Sequence, residues 1–284
     1  MIASTAQLPI ITPASTNPAN EVAKTLTGRG YLSWSAISTY RTCPLKYKFR
    51  YIEGLPEESV SSALVFGTGI HSAIEQHFQA TLSGDEQPDV GRLMFAYRSV
   101  WLPHDPDAIS FGSTETRASL DALASKMLVA FLNSPAASVQ GRVLGVEEEI
   151  RGMLVENVPD LFGRVDLLTE DSDSLVITDI KTSRSRWSAE QVEDSGEQLL
   201  LYSHLASEIA PGKKIATRFL VLTKTREPQV EEHVREVNPA AVKRTLAGVE
   251  RLWRAISAGH FYPAPSTMNC ASCGYRAACR AWTG

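Results

Sequence analysis

The chain has 284 residues, of which 43% are hydrophobic and 21% charged, and its formal net charge is −4. This composition is typical of a globular protein with a sizeable core, and it excludes a fibrous or wholly disordered chain. The acidic net charge gives no overall attraction to a polyanion, so nucleic-acid binding would depend on local basic patches or bound metal ions. No apolar run approaches the roughly 20 residues that span a membrane and no secretory signal is recognisable, so we expect a cytoplasmic protein without membrane contact.

The first half of the chain is predicted to be mainly helical. Residues 1–28 are rich in Thr, Ala, Pro and Asn and show no helical period, so we expect a disordered leader there. A serine-capped helix should then run toward Cys43, and Pro44 should open the next helix at its first position. Residues 81–140 are predicted to form a helical insertion that is broken at its prolines.

The hydrophobic period changes near Val143, and five short apolar runs after that point predict strands. The predicted strands are Leu144–Met153, Leu161–Leu168, Leu175–Ile180, Ile215–Leu222 and Val230–Val234. Two predicted helices, Glu190–Ile209 and Ala240–Ser257, interrupt or follow these strands. The pattern predicts an α/β fold with a mixed central sheet flanked by helices.

The second and third of these strands are predicted to form a hairpin, turned by the polar residues 170–174. Pairing about that turn brings Asp166 and Asp179 within a rung or two of each other, and strand alternation places Lys181 on the same face as Asp179. Two carboxylates and an ammonium are what metal-assisted phosphodiester hydrolysis requires, and hard oxygen ligands favour Mg2+ or Mn2+. An ordinary ion pair on a solvated hairpin is the alternative, and these three residues alone do not exclude it.

The four cysteines of the chain form one pattern, with Cys43 near the front and Cys270-x2-Cys273-x5-Cys279 at the back. A set divided in this way predicts a single site that joins the two ends of the fold. Four thiolates with varied spacing favour an iron–sulfur cluster over zinc, which more often takes two close pairs. Zinc, disulfides and free thiols stay open as alternatives. We expect residues 260–284 to form a cysteine-rich cap joined to Cys43, and the loss of one thiolate to loosen the fold.

Several of these motifs, taken together, resemble a known family. The RecB-like branch of the PD-(D/E)xK nuclease superfamily has, in the same order, segments similar to Gly67-x-Gly69-x-His71, Gly163-x2-Asp166, Asp179-x-Lys181 and Gln198-x3-Tyr202. The cysteine pattern is similar to the iron–sulfur version of that branch, found in AddB-type helicase–nuclease subunits and CRISPR-associated exonucleases. The resemblance runs from about Leu32 to Trp282 and is weak through the helical insertion. One departure is that Thr178 or a neighbour stands where the superfamily has a proline.

The resemblance implies a restriction-endonuclease-like core in a single domain over residues 29–284, with an iron–sulfur-stapled subdomain formed by its N- and C-terminal segments. The implied ligands of Mg2+ or Mn2+ are His71, Asp166, Asp179 and the backbone carbonyl of Ile180. The implied ligands of an architectural [4Fe–4S] cluster are Cys43, Cys270, Cys273 and Cys279. Lys181 would be the catalytic lysine. Gln198 and Tyr202, four apart on one helix face, would point at that lysine or at the DNA end.

Three arginines beside the hairpin, Arg164, Arg184 and Arg186, are predicted to contact DNA phosphates, with surface solubility as the alternative. The implied function is a metal-dependent DNA exonuclease acting on single strands or ends, in recombination, repair or CRISPR adaptation. The resemblance also implies a helicase, recombination or CRISPR protein as partner. The chain has no Gly-x4-Gly-Lys-Ser/Thr phosphate loop, so any ATP-driven unwinding must come from another chain. The alternative is a catalytically silent DNA-end-binding subunit of a helicase–nuclease complex, and the intact Asp, Asp, Lys, Gln and Tyr set argues against it.

Overall fold

A five-stranded sheet with helices on both faces organises the fold, in a computed structural model that describes residues 17–139, 141–171, 173–210 and 212–284. The strands are β1 (Val60–Ser61), β2 (Ile109–Ser110), β3 (Arg142–Gly152), β4 (Leu161–Glu170), β5 (Ser174–Ser183), β6 (Lys214–Thr223) and β7 (Val230–Glu236). The helices of the first half are α1 (Pro18–Thr27), α2 (Trp34–Thr42), α3 (Pro44–Tyr47), α4 (Ser62–Ser83), α5 (Val90–Ser99) and α6 (Arg117–Leu132). Those of the second half are α7 (Ala189–Asp194), α8 (Glu197–Ile209), α9 (Pro239–Ser257), α10 (Thr267–Ala271) and α11 (Arg276–Ala281).

The main sheet has the strand order β3-β4-β5-β6-β7. Its neighbours are antiparallel except for β5 and β6, which run parallel. A parallel pair cannot be joined by a tight turn, and helices α7 and α8 provide the crossover between these two strands. The predicted α/β fold with a mixed central sheet flanked by helices is therefore confirmed. The small strands β1 and β2 form a separate parallel pair.

Two apolar cores lie on opposite faces of the sheet, because successive strand residues point to opposite sides. On one face, residues such as Leu168 and Ile177 pack with α1, α2, α8 and α9. On the other face, Leu167 and Ile180 pack with α4, α5 and α6. Strand β5 is thus covered on both faces, and the charged residue Asp179 within it is only 4% exposed. A carboxylate placed there loses most of its hydration, which favours a bound cation.

The predicted disordered leader contains helix α1, so the prediction is wrong for that part of it. Asn17 caps the helix, and its amide also lies 3.3 Å from Asp160 Oδ1. Asn20 Nδ2 donates to Asp160 Oδ2 at 3.0 Å. Composition could not predict this helix, because it is anchored by a residue about 140 positions away. Residues 1–16 of the predicted leader lie outside the described residues.

Two further helices differ from the expected boundaries. The single helix predicted for residues 190–209 is divided into α7 and α8 at Gly196, because glycine has a low helix propensity. The Gly67-x-Gly69-x-His71 segment, expected to lead into a helix, already lies within α4. A Cβ at Gly69 would lie 2.6 Å from Tyr97 Cδ2, so glycine permits α4 and α5 to approach closely. No helix of the described ranges combines the length and apolarity needed to cross a membrane.

The C-terminal segment contacts the helices at the start of the described chain. The backbone N–H of Leu45 donates to the Tyr262 carbonyl at 3.0 Å, and that of Glu58 donates to the Gly274 carbonyl at 2.8 Å. Tyr275 packs with Leu45 in a small apolar cluster separate from the two main cores. These contacts bring the region of Cys43 against helices α10 and α11.

Candidate active site

The hairpin of β4 and β5 places Asp166 and Asp179 at the point where its ladder ends. The last pair in register is Leu167 with Thr178, so the next position sets Asp166 opposite Asp179. There the side chain of Asp166 replaces a backbone acceptor, and the Ile180 N–H donates to Asp166 Oδ2 at 2.6 Å. The register agrees with the placement expected from the sequence.

Lys181 follows Asp179 on the same face of β5, while the side chain of Ile180 points into the opposite core. Lys181 Nζ lies 2.5 Å from Asp179 Oδ2, and the Asp179 side chain is 5% exposed. The contact satisfies the distance of an ion pair, but Asp179 Oδ2 has no partner in hydrogen-bond geometry. A buried oxygen without a well-directed donor keeps its lone pairs for a cation.

His71 approaches the two aspartates from helix α4. Its Nδ1 lies 3.3 Å from Asp166 Oδ2. Burial lowers the pKa of His71, and the charge of Lys181 lowers it further, although Asp179 and a hydrogen bond with the Ile180 backbone act in the opposite direction. The imidazole is therefore neutral at pH 7, which is the form that binds metal ions.

The electrostatics of the site suit a divalent cation. Burial raises the pKa of Asp166 to about 7, and the neighbouring charge of Asp179 raises it too, whereas the Ile180 N–H and Lys181 lower it. Two desolvated carboxylates and a neutral imidazole form a donor set of the kind that Mg2+ or Mn2+ accepts. Nevertheless, no three His, Cys, Asp or Glu side chains are arranged as a complete metal-binding group anywhere in the described ranges.

Two glutamates also belong to this acidic site. Sequence reasoning missed Glu147, which the register of the flanking β3–β4 pairs places opposite Asp166. Burial raises the pKa of Glu147 to about 7, and the charge of Asp166 is the next cause. Glu75 lies one turn beyond His71 on α4, and burial raises its pKa as well, partly offset by Arg164 and His71. The sequence signal that could have indicated Glu147 was the run of three glutamates at 147–149 in the middle of a predicted strand.

Gln198 and Tyr202 share a face of α8, as their spacing predicts, and Gln198 Nε2 donates to the Tyr202 hydroxyl at 3.3 Å. Tyr202 is 4% exposed, so it packs beneath the hairpin and does not face solvent. Burial raises its pKa to about 12, so the hydroxyl stays protonated. A Cβ at Gly163 would lie 2.4 Å from Tyr202 Cε1. The glycine of the Gly163-x2-Asp166 motif therefore makes room for this ring.

The three arginines predicted to contact DNA differ in their partners. Arg164 lies 3.6 Å from Glu147 and 3.3 Å from Glu149, with its side chain 55% exposed. Arg186 forms an ion pair with Glu231 on β7. Arg184 is exposed and has no ion-pair partner among the described residues. Its positive charge is therefore the most available of the three for a phosphate.

The four cysteines approach one another, but they do not form a complete site in the described ranges. All are free thiols; Cys43, Cys273 and Cys279 are half-buried, and Cys270 is exposed. Burial raises the pKa of Cys279, and the charges of the other three cysteines raise it further, so the four lie within electrostatic reach. The arrangement does not by itself support the predicted [4Fe–4S] cluster.

A carboxylate pair, a neutral imidazole and a lysine on a mixed sheet are typical of enzymes that hydrolyse phosphodiesters with a divalent metal. The family model of the PD-(D/E)XK nuclease superfamily matches residues 31–280. The chain therefore belongs to the PD-(D/E)XK nuclease superfamily. The match identifies the superfamily and not a particular branch within it, such as the RecB-like iron–sulfur branch that the motifs resemble.

At least one solved structure shares this fold at low sequence identity. One is a crystal structure from Eubacterium rectale, described as a candidate exonuclease, which aligns over 96% of this chain and 94% of its own with a TM-score of 0.58 and 16% identity. A likeness at this identity shows the fold alone. The crystal structure of SSO0001 aligns over 88% of this chain and 96% of its own at 14% identity, but its TM-score of 0.35 is too low to indicate a shared fold. No curated protein matches the chain.

Proposed function

We propose that this protein is a Mg2+- or Mn2+-dependent DNA exonuclease, which hydrolyses phosphodiester bonds of single-stranded DNA or DNA ends. The observation that carries the proposal is the meeting of Asp166, Asp179 and Lys181 with His71 at the end of the β4–β5 ladder. Membership of a nuclease superfamily supports hydrolysis of nucleic acid as the reaction. The fold shared with a candidate exonuclease from Eubacterium rectale is compatible with digestion from an end.

The residues present fit a divalent ion. Asp179 offers a buried oxygen without a directed donor, and His71 is held neutral by burial. We assign the ion to His71, Asp166, Asp179 and the Ile180 carbonyl. Such an ion, when bound, would activate water and screen the charge of the phosphate.

The remaining groups have separate roles in the proposed reaction. Lys181 is the ammonium closest to the carboxylates, so it can orient the attacking water or donate to the phosphate oxygen on which charge develops. Gln198 donates a hydrogen bond to the Tyr202 hydroxyl, and the Tyr202 ring packs against Gly163. The ring therefore supports β4 three residues before Asp166. Gln198 and Tyr202 thus act by positioning the β4–β5 hairpin.

We further propose that Cys43, Cys270, Cys273 and Cys279 hold a [4Fe–4S] cluster with an architectural role. The ligand type fits, because all four cysteines are free thiols and three of them, Cys43, Cys273 and Cys279, pack in one apolar cluster with Leu45, Phe49, Tyr275 and Trp282. Hydrolysis needs no electron transfer, so the cluster would fasten the C-terminal segment to the first helices. Anaerobic purification tests this: a brown protein containing iron and sulfide is expected, and a colourless protein containing zinc would overturn it.

A digestion assay on labelled single-stranded DNA tests the nuclease proposal. Wild-type protein, Asp179→Ala and the exposed control Asp194→Ala are compared in Mg2+ or Mn2+, on linear substrates blocked at the 5′ or 3′ end and on circles. We expect wild type and the control to digest one of the blocked substrates from its free end, and Asp179→Ala to be inactive. Equal products from wild type and Asp179→Ala would refute the assignment of the site. DNA binding without digestion by any protein would favour the catalytically silent subunit.

The proposed pathway is recombination, repair or CRISPR adaptation, with a helicase, recombination or CRISPR protein as partner. The pathway and the partner are supported only by the resemblance of the motifs and the cysteine pattern to the RecB-like branch. Purification of the tagged protein from its own cells, followed by identification of co-purified proteins, tests it. A nucleic-acid motor or recombination protein is expected, and its absence after mild cross-linking would count against the pathway.

A further inference from the structure

A cavity of about 480 Å³ lies beside the candidate active site. It is lined by, among others, Phe66, Ser113, Thr114, Glu115, Arg184 and Lys224. Two of these share elements with the active site. Arg184 follows Lys181 by three residues, about 10 Å along an extended chain. Phe66 precedes His71 by five residues on α4, about 7.5 Å along the helix axis. One short stretch of a DNA strand could therefore contact both the cavity and the site.

Two cations line this cavity without a carboxylate partner. Neither Arg184 nor Lys224 forms an ion pair in the portions of the chain that the structure describes. The backbone N–H of Lys224 donates to the Ser183 carbonyl at 2.6 Å, which ties the loop after β6 to the residue before Arg184. Lys224 Nζ lies 5.7 Å from the centre of the Phe66 ring, so the amine faces an apolar wall. The backbone thus holds two positive charges close together.

The electrostatics of Lys224 reflect this arrangement. Burial lowers its pKa, and the charge of Arg184 lowers it further, while Glu115 acts in the opposite direction. Neighbouring like charges repel each other, and an anion bound between them would relieve that repulsion. The cavity therefore favours a negatively charged ligand.

The carboxylate that lines the cavity bonds to its own loop and to the first residue of α4. Glu115 Oε2 accepts hydrogen bonds from Ser62 Oγ at 2.9 Å and from the Gly112 N–H at 3.2 Å. These bonds close the loop that also carries Ser113 and Thr114, whose hydroxyls are further possible donors to a phosphate. Glu115 consequently shapes the cavity and leaves the two cations with an excess of positive charge.

We infer that this cavity, hereafter the phosphate pocket, binds a phosphate group of the DNA substrate through Arg184 and Lys224. The inference rests on the proposed function and adds a second point of attachment beside the scissile phosphate. Arginine recognises phosphate with a planar fork and lysine with a point charge, and the pocket volume is in the range of about 300–1,000 Å³ usual for ligand sites. The phosphate is either the terminal group of a DNA end or an internal group of the backbone, since the chemistry is the same.

Calorimetric titration with inorganic phosphate in chelator, at constant ionic strength, tests the pocket without requiring catalysis or the catalytic metal. We expect saturable binding by wild type, binding about 5- to 10-fold weaker by Lys224→Gln, recovery in Lys224→Arg, and no change in the exposed control Lys24→Gln. Equal phosphate binding by wild type and Lys224→Gln would overturn the inference. Because no digestion is measured, a failed nuclease assay would not be mistaken for this result.

Fluorescence anisotropy with metal-free protein distinguishes the two sources of phosphate. The probes are single-stranded oligonucleotides with a 5′-phosphate, a 3′-phosphate or hydroxyls at both ends. A preference of wild type for one phosphorylated end, lost in Lys224→Gln, would assign a terminal phosphate. An equal loss of affinity of Lys224→Gln for all three probes would assign a backbone phosphate. Unchanged affinity of Lys224→Gln for every probe would overturn the role in DNA binding.

Discussion

The acidic site and the cysteine group are both proposed to hold metal, but the fold prepares them differently. In the acidic site, strand register sets Asp166 opposite Asp179, and a backbone N–H fixes the Asp166 carboxylate. In the cysteine group, Cys43 must meet residues more than 200 positions away, and Cys270 is exposed. Secondary structure therefore positions the first set of ligands, whereas the second depends on tertiary contacts and, as proposed, on the bound cluster.

Loss of a cysteine should give the largest effect on stability. A cluster that closes a loop of this length contributes about 5 kcal/mol through the reduced entropy of the unfolded chain. We expect Cys279→Ser to lower the free energy of unfolding by about that amount in anaerobic denaturant titrations, with loss of visible absorbance. The neighbouring exposed control Ala271→Ser should behave as wild type. Unchanged stability and colour in Cys279→Ser would mean that the thiols hold no cluster.

Loss of the lysine should give the largest effect on catalysis with little effect on stability. We expect Lys181→Met to reduce kcat/KM for DNA digestion by about 100- to 1,000-fold, because a positioned cation that stabilises developing charge typically contributes that much. Affinity for Mn2+ should be retained or raised, since the ammonium beside Asp179 is removed. The exposed Lys24→Met is the control. A decrease below about tenfold would contradict the role given to Lys181.

The support of the hairpin can be tested with a pair of glycines. Gly163→Ala should lower the free energy of unfolding by about 1–3 kcal/mol, because the new Cβ overlaps the Tyr202 ring. Gly67→Ala is the matched control, since its Cβ would lie 3.6 Å from Thr182 Oγ1, an ordinary contact, and alanine favours a helix. Urea titration measures both. Equal stability of the two variants would show that the ring does not support β4.

The acidic site should also make metal-free stability depend on pH. The pKa of Asp166 rises from an ordinary 3.8 to about 7 on folding, so the folded protein binds this proton more tightly than the unfolded chain. The resulting stabilisation is complete below about pH 4 and is lost as pH rises toward about 7. The Tm of wild type should therefore fall by about 2–4 °C relative to Asp166→Asn between about pH 5 and about pH 7.5 in chelator. A pH-independent difference in Tm would exclude this linkage.

Features governed by local pattern could be predicted from the sequence. Short apolar runs predicted the five strands of the main sheet within a few residues. The turn between β4 and β5 has its own chemistry, since Asp171 Oδ1 accepts a hydrogen bond from the Ser174 N–H at 2.8 Å. A turn at that place sets the register, which is why the meeting of Asp166 and Asp179 could be expected in advance.

Features governed by distant contacts could not be predicted. Helix α1 depends on bonds to Asp160, which no local pattern reveals. Glu147 has a φ of 53°, a conformation that no sequence rule assigns to a glutamate within a strand. Arg186 looked available for DNA, but its ion pair with Glu231 on β7 appears only once the sheet is assembled. The approach of Cys43 to the three C-terminal cysteines likewise requires the closed fold.

The position of a bound manganese ion tests the central proposal most directly. Crystals of wild-type protein soaked in Mn2+ and measured by anomalous diffraction should show a peak at the carboxylates of Asp166 and Asp179 and the imidazole of His71. The same soak of Asp179→Asn should give a weak peak or none there. Manganese-stimulated DNA digestion by wild-type protein whose anomalous peaks all lie away from these three residues would contradict the account.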